Sequence, residues 1–205
     1  MVTNEIKYTF DEESIEGRDL AKLYGKLSEP GGPLMANLER EQALINVGHA
    51  CFSGSRESAG HAVKFLPLLL QYIKKESSPY QFKLAALKSL CEMSYGNKTV
   101  KEFIVHDRVA VDALTKIINS TETFPEVRLG RWGCYLIVLL FIGSPHIMMA
   151  GKYNEELKEA LVKAADFPRP WPGWGMNMAD LILKILHHRD PSEPVHYDTI
   201  AHHAA

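Results

Sequence analysis

The amino-acid sequence predicts an all-α fold, and three observations support that prediction. Apolar residues recur three or four positions apart in long blocks rich in leucine, alanine and lysine, as they do on the buried face of a helix. No stretch combines sustained alternation of apolar and polar residues with the dipeptides that are typical of β-hairpins. The arrangement of the blocks also returns after about 43 residues, which is typical of stacked helical repeats.

Residues 1–33 are predicted to form an N-terminal segment with one short amphipathic helix. Its apolar residues fall mostly three or four positions apart among charged neighbours. They are Ile15, Leu20, Leu23, Tyr24 and Leu27. Residues 29–33 (EPGGP) are prolines and glycines after one glutamate, so the helix is expected to end before them.

Further apolar blocks follow this segment, and each is predicted to form a helix. They cover residues 34–52, 63–73, 82–93, 100–105, 109–118, 127–142, 157–164 and 176–186. In two of the short connections between them a serine precedes a proline. We therefore expect Ser78 and Ser144 to cap helices whose first residues are Pro79 and Pro145.

The blocks form an internal repeat. Residues 43–53 align with residues 86–96, so that small, apolar, aromatic and turn positions coincide. A third copy covers residues 133–164, and a final long helix is predicted over residues 174–188. Each copy is expected to contain a long helix, a short helix and a helix of medium length.

A period of this length, built from two or three helices, is typical of HEAT and armadillo repeats. Residues 82–104 (FKLAALKSLCEMSYGNKTVKEFI) resemble the armadillo pattern, in which an Ala/Leu-rich third helix is followed by a small-residue turn, an asparagine and a short helix. The resemblance covers residues 34–188 and implies a right-handed α-solenoid of about three armadillo/HEAT-like repeats. It is a resemblance to the small armadillo-like helical domain proteins of animals, and it leaves residues 189–205 as a flexible tail.

The chain differs from the peptide-binding armadillo proteins in the residues that bind the peptide. In those proteins each third helix carries a tryptophan and, four residues later, an asparagine that together hold an extended basic peptide. The matching pairs here are Gln42 and Asn46, Ala85 and Ser89, and Trp132 and Leu136. One tryptophan and one asparagine remain, in different copies, so we do not expect a nuclear import adaptor.

The groove face that the resemblance implies still provides candidate partner-binding residues. They are Gln42, Asn46, His49, Ser89, Glu92, Arg128 and Trp132. The alternative is structural, with Trp132 as a core aromatic residue and Asn46 in a hydrogen bond between repeats.

Residues 167–174 (FPRPWPGW) contain three prolines, two tryptophans and a phenylalanine. Such a segment favours a polyproline conformation and could dock on a partner through Trp171, which we include among the candidate contacts. The alternative is that Trp171 and Trp174 cover the end of the repeat stack, because exposed tryptophans reduce solubility.

Composition and charge argue against two classes of partner. The 205 residues include 23 Lys and Arg against 25 Asp and Glu, a formal net charge of −2, so no nucleic-acid partner is expected. The longest apolar run, residues 134–142, is far shorter than the ~20 residues that span a bilayer, so no membrane partner is expected either.

No motif in the sequence indicates catalysis. Cys51, Cys91 and Cys134 are far apart and fall at apolar positions, so we expect buried thiols in a reducing compartment. The nine histidines lack metal-ligand spacing, and the adjacent His187 and His188 diverge by about 100° on a helix. We therefore expect no catalytic residues, no metal and no cofactor.

The sequence as a whole predicts a non-enzymatic protein–protein interaction or scaffold module in the cytoplasm. The resemblance adds a specific expectation, a structural component of a ciliary or microtubule-associated assembly. The alternative is a regulatory subunit that docks an enzyme or a chaperone client through residues 167–174. The sequence leaves the partner and the oligomeric state open.

Overall fold

The protein is helical throughout the part of the chain that the structure describes. A computed structural model describes residues 15–28, 34–53, 56–120, 126–142, 144–152, 154–166, 171 and 174–192. These residues form α-helices joined by short connections and contain no strand, which confirms the predicted all-α class.

The helices fall into two compact units that divide between His106 and Asp107. The helices of unit 1 are α1 (Ile15–Ser28), α2 (Leu34–Ser53), α3 (Arg56–Lys74), α4 (Tyr80–Ser94) and α5 (Lys98–His106). Those of unit 2 are α6 (Arg108–Asn119), α7 (Glu126–Phe141), α8 (Pro145–Lys152), α9 (Glu155–Asp166) and α10 (Met178–Ile185). The boundary lies inside the predicted repeat domain, residues 34–188, between the short and the medium helix of its second copy.

In unit 1 the long helices α2 and α4 lie side by side and run in the same direction. Three contacts fix their register: Leu44 with Ser89, His49 with Glu92, and Phe52 with Tyr95. Helix α3 packs on both long helices, and α1 packs on α2 and α3, so the N-terminal helix is part of this unit. The unit buries large side chains such as Leu44, Phe65 and Leu87.

In unit 2 helix α6 packs on α7 and α9, and α10 packs on the same two helices. The short helix α8 contacts α7 and α9. Leu114, Leu136, Leu161 and Ile182 are buried in the resulting core. Gly133 of α7 faces α6, where an added Cβ would lie 3.2 Å from Ile118 Cγ1, so the glycine permits a close approach of these helices.

Two copies of the predicted repeat have the expected order of helices. Helices α4, α5 and α6 are long, short and medium, and so are α7, α8 and α9. The first copy differs, because one helix of 19 residues, α3, replaces the separate short and medium helices. Within each unit the helix that ends one copy packs on the long helix that begins the next, as in α3 on α4, α6 on α7 and α9 on α10.

One of the two predicted helix starts needs correction. Helix α4 begins at Tyr80 with Pro79 in the N-cap position and no capping side chain, so Ser78 is not its cap. At the other predicted start, Pro145 is the first residue of α8, as expected.

The final helix is shorter than the predicted 174–188. It begins after Asn177, whose Oδ1 accepts hydrogen bonds from the backbone N–H groups of Ala179 and Asp180. It ends in a Schellman turn, in which His188 N–H donates to Leu183 O and His187 N–H donates to Lys184 O. His187 has a φ of 59°, a left-handed conformation that stops the helix.

Candidate functional site

One face of unit 1 gathers four of the predicted partner-binding residues. On α2 the side chains of residues 38, 42, 46, 49 and 52 fall within about 120° of the helix circumference at 100° per residue. Glu92 and Tyr95, at the end of α4, lie beside the last turns of this stripe. We call this surface the α2–α4 face. It consists of Leu38, Gln42, Asn46, His49, Phe52, Glu92 and Tyr95.

The polar side chains in the middle of the α2–α4 face bond to one another. Gln42 Nε2 donates a 2.8 Å hydrogen bond to Asn46 Oδ1, one turn along the same helix. The Asn46 bond is therefore within α2 and is not the predicted bond between repeats. His49 Nε2 lies 3.4 Å from Glu92 Oε1 and joins the two helices. Partial burial raises the pKa of the Glu92 carboxyl, and the nearby His49 and Lys88 oppose that shift.

Ser89 does not belong to the accessible part of this face, so we remove it from the candidate surface. Its side chain is buried, and its Oγ donates a short hydrogen bond to the Leu44 carbonyl on α2. The neighbouring α2 residue is Gly48, whose missing Cβ would lie 2.8 Å from Ser89 Cα. The small residues at this crossing let the two backbones approach, and a side chain at the closest point cannot also face solvent.

Large apolar side chains lie at both ends of the α2–α4 face. Phe52 and Tyr95 pack edge to face with ring centroids 5.5 Å apart, yet they are 55% and 63% exposed. Leu38, at the other end of the stripe, is 63% exposed. Single exposed apolar residues are common, but two paired rings from different helices make a patch. Reasoning from the sequence did not select these residues, although the aromatic positions of the two copies already coincided.

The third copy has a comparable residue in unit 2. Phe52 is the next-to-last residue of α2, Tyr95 directly follows α4, and Ile142 directly follows α7. Its side chain is also large, apolar and exposed. Each copy therefore presents an apolar side chain to solvent at the end of its long helix.

The remaining predicted contacts lie in unit 2. Arg128 is exposed at the start of α7, and Trp132 is half-buried one turn later. The Trp132 ring packs edge to face against Tyr135 and Trp174, at 6.0 and 5.1 Å between centroids. Trp132 is thus one half-buried member of an aromatic cluster.

Trp171 is buried, with 5% of its surface exposed, so it cannot be a surface contact in this conformation. Its ring packs against Trp174, and the Arg131 guanidinium carbon lies 5.6 Å from the Trp171 ring centroid. The two tryptophans therefore cover apolar surface of unit 2, which agrees with the covering role considered as the alternative. Residues 167–170, 172 and 173 of the Pro/Trp segment lie outside the described residues.

A partly buried charge cluster secures the end of α10, and the sequence analysis did not select it. Asp180 is 1% exposed; its Oδ2 lies 3.0 Å from Lys184 Nζ, and its Oδ1 accepts a 2.9 Å hydrogen bond from Arg189 Nη1. The other end of the Arg189 guanidinium bonds Asp166. Two anions and two cations balance, so these groups anchor the first residue of the predicted tail to unit 2.

The three cysteine thiols show no activation. Burial raises the pKa of the Cys51 thiol to about 12 and also raises the pKa values of Cys91 and Cys134. All three are free and buried, which confirms the predicted burial of the cysteines. Within the described part of the chain, no three His, Cys, Asp or Glu residues are grouped so as to hold a metal ion.

The described helices include none with the length and apolar character needed to cross a bilayer. No protein-family model, curated protein or solved structure matches this chain. The armadillo resemblance therefore stays a prediction from the sequence.

Proposed function

We propose that this protein is a non-enzymatic interaction module that binds a protein segment on the α2–α4 face. The observation that carries the proposal is the exposed Phe52–Tyr95 ring pair beside the His49–Glu92 contact. Exposed aromatic rings held by a rigid helix pair have the properties of binding hot spots, because they bury a large area at a small entropic cost.

The face also limits the kind of segment that fits. Leu38 and Phe52 are 14 positions apart on one helix, which is about 21 Å at 1.5 Å per residue. An extended segment would need about six or seven residues to span that distance. Its two ends would carry apolar anchors, and its middle would need polar groups that pair with Gln42, Asn46 and the His49–Glu92 contact.

The armadillo-like solenoid is the architecture that we propose for this module. Parallel long helices in register at the repeat spacing, and the packing of each copy's last helix on the next long helix, support it. A cytoplasmic location and a place in a ciliary or microtubule-associated assembly are further proposals, and the resemblance stated above supports them. The three protonated, buried thiols support the absence of cysteine-based catalysis.

A peptide-library selection tests the binding face. We expect wild-type protein to enrich segments with two apolar anchors, and the double variant Phe52→Ser/Tyr95→Ser to lose their binding by at least tenfold, since each ring is a candidate hot spot. Val109→Ser is the matched control, because Val109 is 61% exposed and lies on α6 in the other unit.

Circular dichroism must first show that both variants retain the helical content of the wild type. The proposal fails if the double variant and wild type bind the selected segments equally well. It also fails if Val109→Ser reduces binding as much as the double variant does.

A further inference from the structure

Unit 1 contains a pocket of about 470 Å³ where the ends of α1 and α3 meet α2 and the start of α4. This volume is in the range of small-ligand sites in proteins. Seven polar residues contribute to its wall. They are Ser28, Arg40, Gln71, Tyr72, Lys75, Ser77 and Ser78. We call this site the loop pocket, after the connection between α3 and α4.

The charged side chains that line the loop pocket are both cations. Arg40 comes from α2 and Lys75 from the connection after α3, and no carboxylate side chain contributes to the described wall. The positive charge of Arg40 also affects Tyr72, another residue of the wall. Burial raises the pKa of the Tyr72 hydroxyl, and Arg40 acts against that shift. The hydroxyl groups of Ser77 and Ser78 supply further hydrogen-bond donors near these cations, whereas the Ser28 hydroxyl already donates to the Tyr24 carbonyl.

The start of α4 adds partial positive charge to the same pocket. Ser78, Pro79 and Phe82 line it, and α4 begins at Tyr80. No side chain caps this N-terminus, and its first turn contains no acidic residue. The backbone N–H groups and the dipole of a helix of 15 residues therefore favour an anion at this end.

Apolar groups form the rest of the wall. Leu27, Leu68 and Phe82 lie beside the polar residues. A bare inorganic ion would leave these surfaces in contact with water, whereas an anionic group on an organic stem would cover them. The wall thus combines sites for a charged head and for an apolar stem.

We propose that the loop pocket binds a phosphate monoester, with the phosphate near Arg40, Lys75 and the α4 N-terminus and the ester stem against the apolar wall. A monoester carries close to two negative charges at pH 7 and three acceptor oxygens. Two cations, serine hydroxyls and the positive end of the α4 dipole match that ligand better than they match a carboxylate with one charge.

The loop pocket is separate from the α2–α4 face. Arg40 and Gln42 are two positions apart on α2, so their side chains point about 200° apart around the helix. A ligand in the pocket and a segment on the face would therefore occupy different sides of α2. Success or failure of this proposal does not depend on the protein-binding proposal above.

Titration of isotope-labelled full-length protein, followed by backbone amide NMR signals, tests the proposal. The probes are phenyl phosphate, dimethyl phosphate, inorganic phosphate, and one serine peptide with and without a phosphate group. We expect phenyl phosphate to shift the amide signals of Lys75, Ser77, Ser78 and the first turn of α4. Dimethyl phosphate, which carries one charge, should bind at least tenfold more weakly.

Three variants make the assignment specific. Lys75→Gln changes an exposed side chain and should weaken phenyl phosphate binding about tenfold, as expected for a charge-assisted hydrogen bond. Arg40→Lys keeps the charge but removes the guanidinium fork, and it should also weaken binding. Lys98→Gln removes the same charge on α5, outside the pocket wall, and should bind as the wild type does.

The relative affinities of the probes show which kind of molecule supplies the phosphate. Tight binding of the phosphopeptide indicates a phosphorylated protein, and phenyl phosphate that binds as well as the peptide indicates a free phosphate ester; both support the pocket. The proposal is overturned if no monoester shifts these signals, if the unphosphorylated peptide binds equally, or if Lys75→Gln and Lys98→Gln have equal effects.

Discussion

The close crossing of α2 and α4 at Gly48 predicts that a larger residue there lowers the stability of the protein. A Cβ added at this residue would lie 2.8 Å from Ser89 Cα and 3.0 Å from Ser89 Oγ, and it would also meet Glu92 Oε2. The Ser89 Cα is backbone and cannot rotate away, so Gly48→Ala must push the two long helices apart. The same movement would stretch the hydrogen bond from Ser89 Oγ to the Leu44 carbonyl.

The change in the free energy of unfolding caused by Gly48→Ala is the sum of opposing contributions. Alanine is favoured over glycine in a helix interior by about 1 kcal/mol. Overpacking of a tight contact costs about 1–3 kcal/mol, and the weakened buried hydrogen bond costs about 1 kcal/mol. We therefore expect Gly48→Ala to lower the free energy of unfolding by about 1–3 kcal/mol, with a shift of about 2–4 °C in the melting midpoint per kcal/mol.

Gly25 and Gly60 provide matched controls in the same unit. Each lies inside a helix, and an added Cβ would meet nothing within 4 Å. Alanine at either position should raise the free energy of unfolding by up to about 1 kcal/mol. Urea unfolding followed by circular dichroism measures all three variants. If Gly48→Ala is as stable as Gly60→Ala, the close approach of α2 and α4 does not exist as described.

Two further predictions concern unit 2 and the thiols. Asp180→Asn should lower the free energy of unfolding by about 3–5 kcal/mol, because the buried Lys184 ammonium loses the carboxylate that lies 3.0 Å from it. Asp166→Asn, at the exposed end of the cluster, should cost at most about 1 kcal/mol. Thermal melts compare the two variants, and equal costs would contradict the buried pair. The three cysteines should react with Ellman's reagent at pH 8 far more slowly in the native protein than in denaturant, because burial raises the pKa of the Cys51 thiol to about 12 and keeps it protonated at that pH. Complete labelling of the native protein within seconds would show that these thiols are accessible.

The helices could be predicted because their signals are local. Apolar spacing gave α2 and α4 to within about two residues at each end, and the proline at the start of α8 marked its first residue. Errors occurred where a distant contact decides the boundary. Asn177 caps α10 and also donates to the Ala165 carbonyl of α9, so the final helix starts later than its apolar pattern.

The candidate site was harder to predict because exposure depends on neighbouring helices. Ser89 and Glu92 are on the same helix and three positions apart, yet Ser89 lies under α2 and Glu92 reaches the surface beside it. Trp171 similarly became a buried residue because Arg131 and Trp174 lie against its ring. The loop pocket escaped the sequence analysis entirely, since its wall is assembled from four helices and a connection.

The repeat itself creates the α2–α4 face. Because the parallel long helices of unit 1 are in register at the repeat spacing, equivalent residues of two copies become neighbours. An aromatic residue at the end of each long helix then becomes the Phe52–Tyr95 pair, and the position one turn earlier becomes the His49–Glu92 contact. A search for motifs within a single copy cannot find such a site, since each copy contributes half of every pair. The third copy has an exposed apolar side chain at the same place, Ile142, so the surface at the end of the long helix is apolar in all three copies.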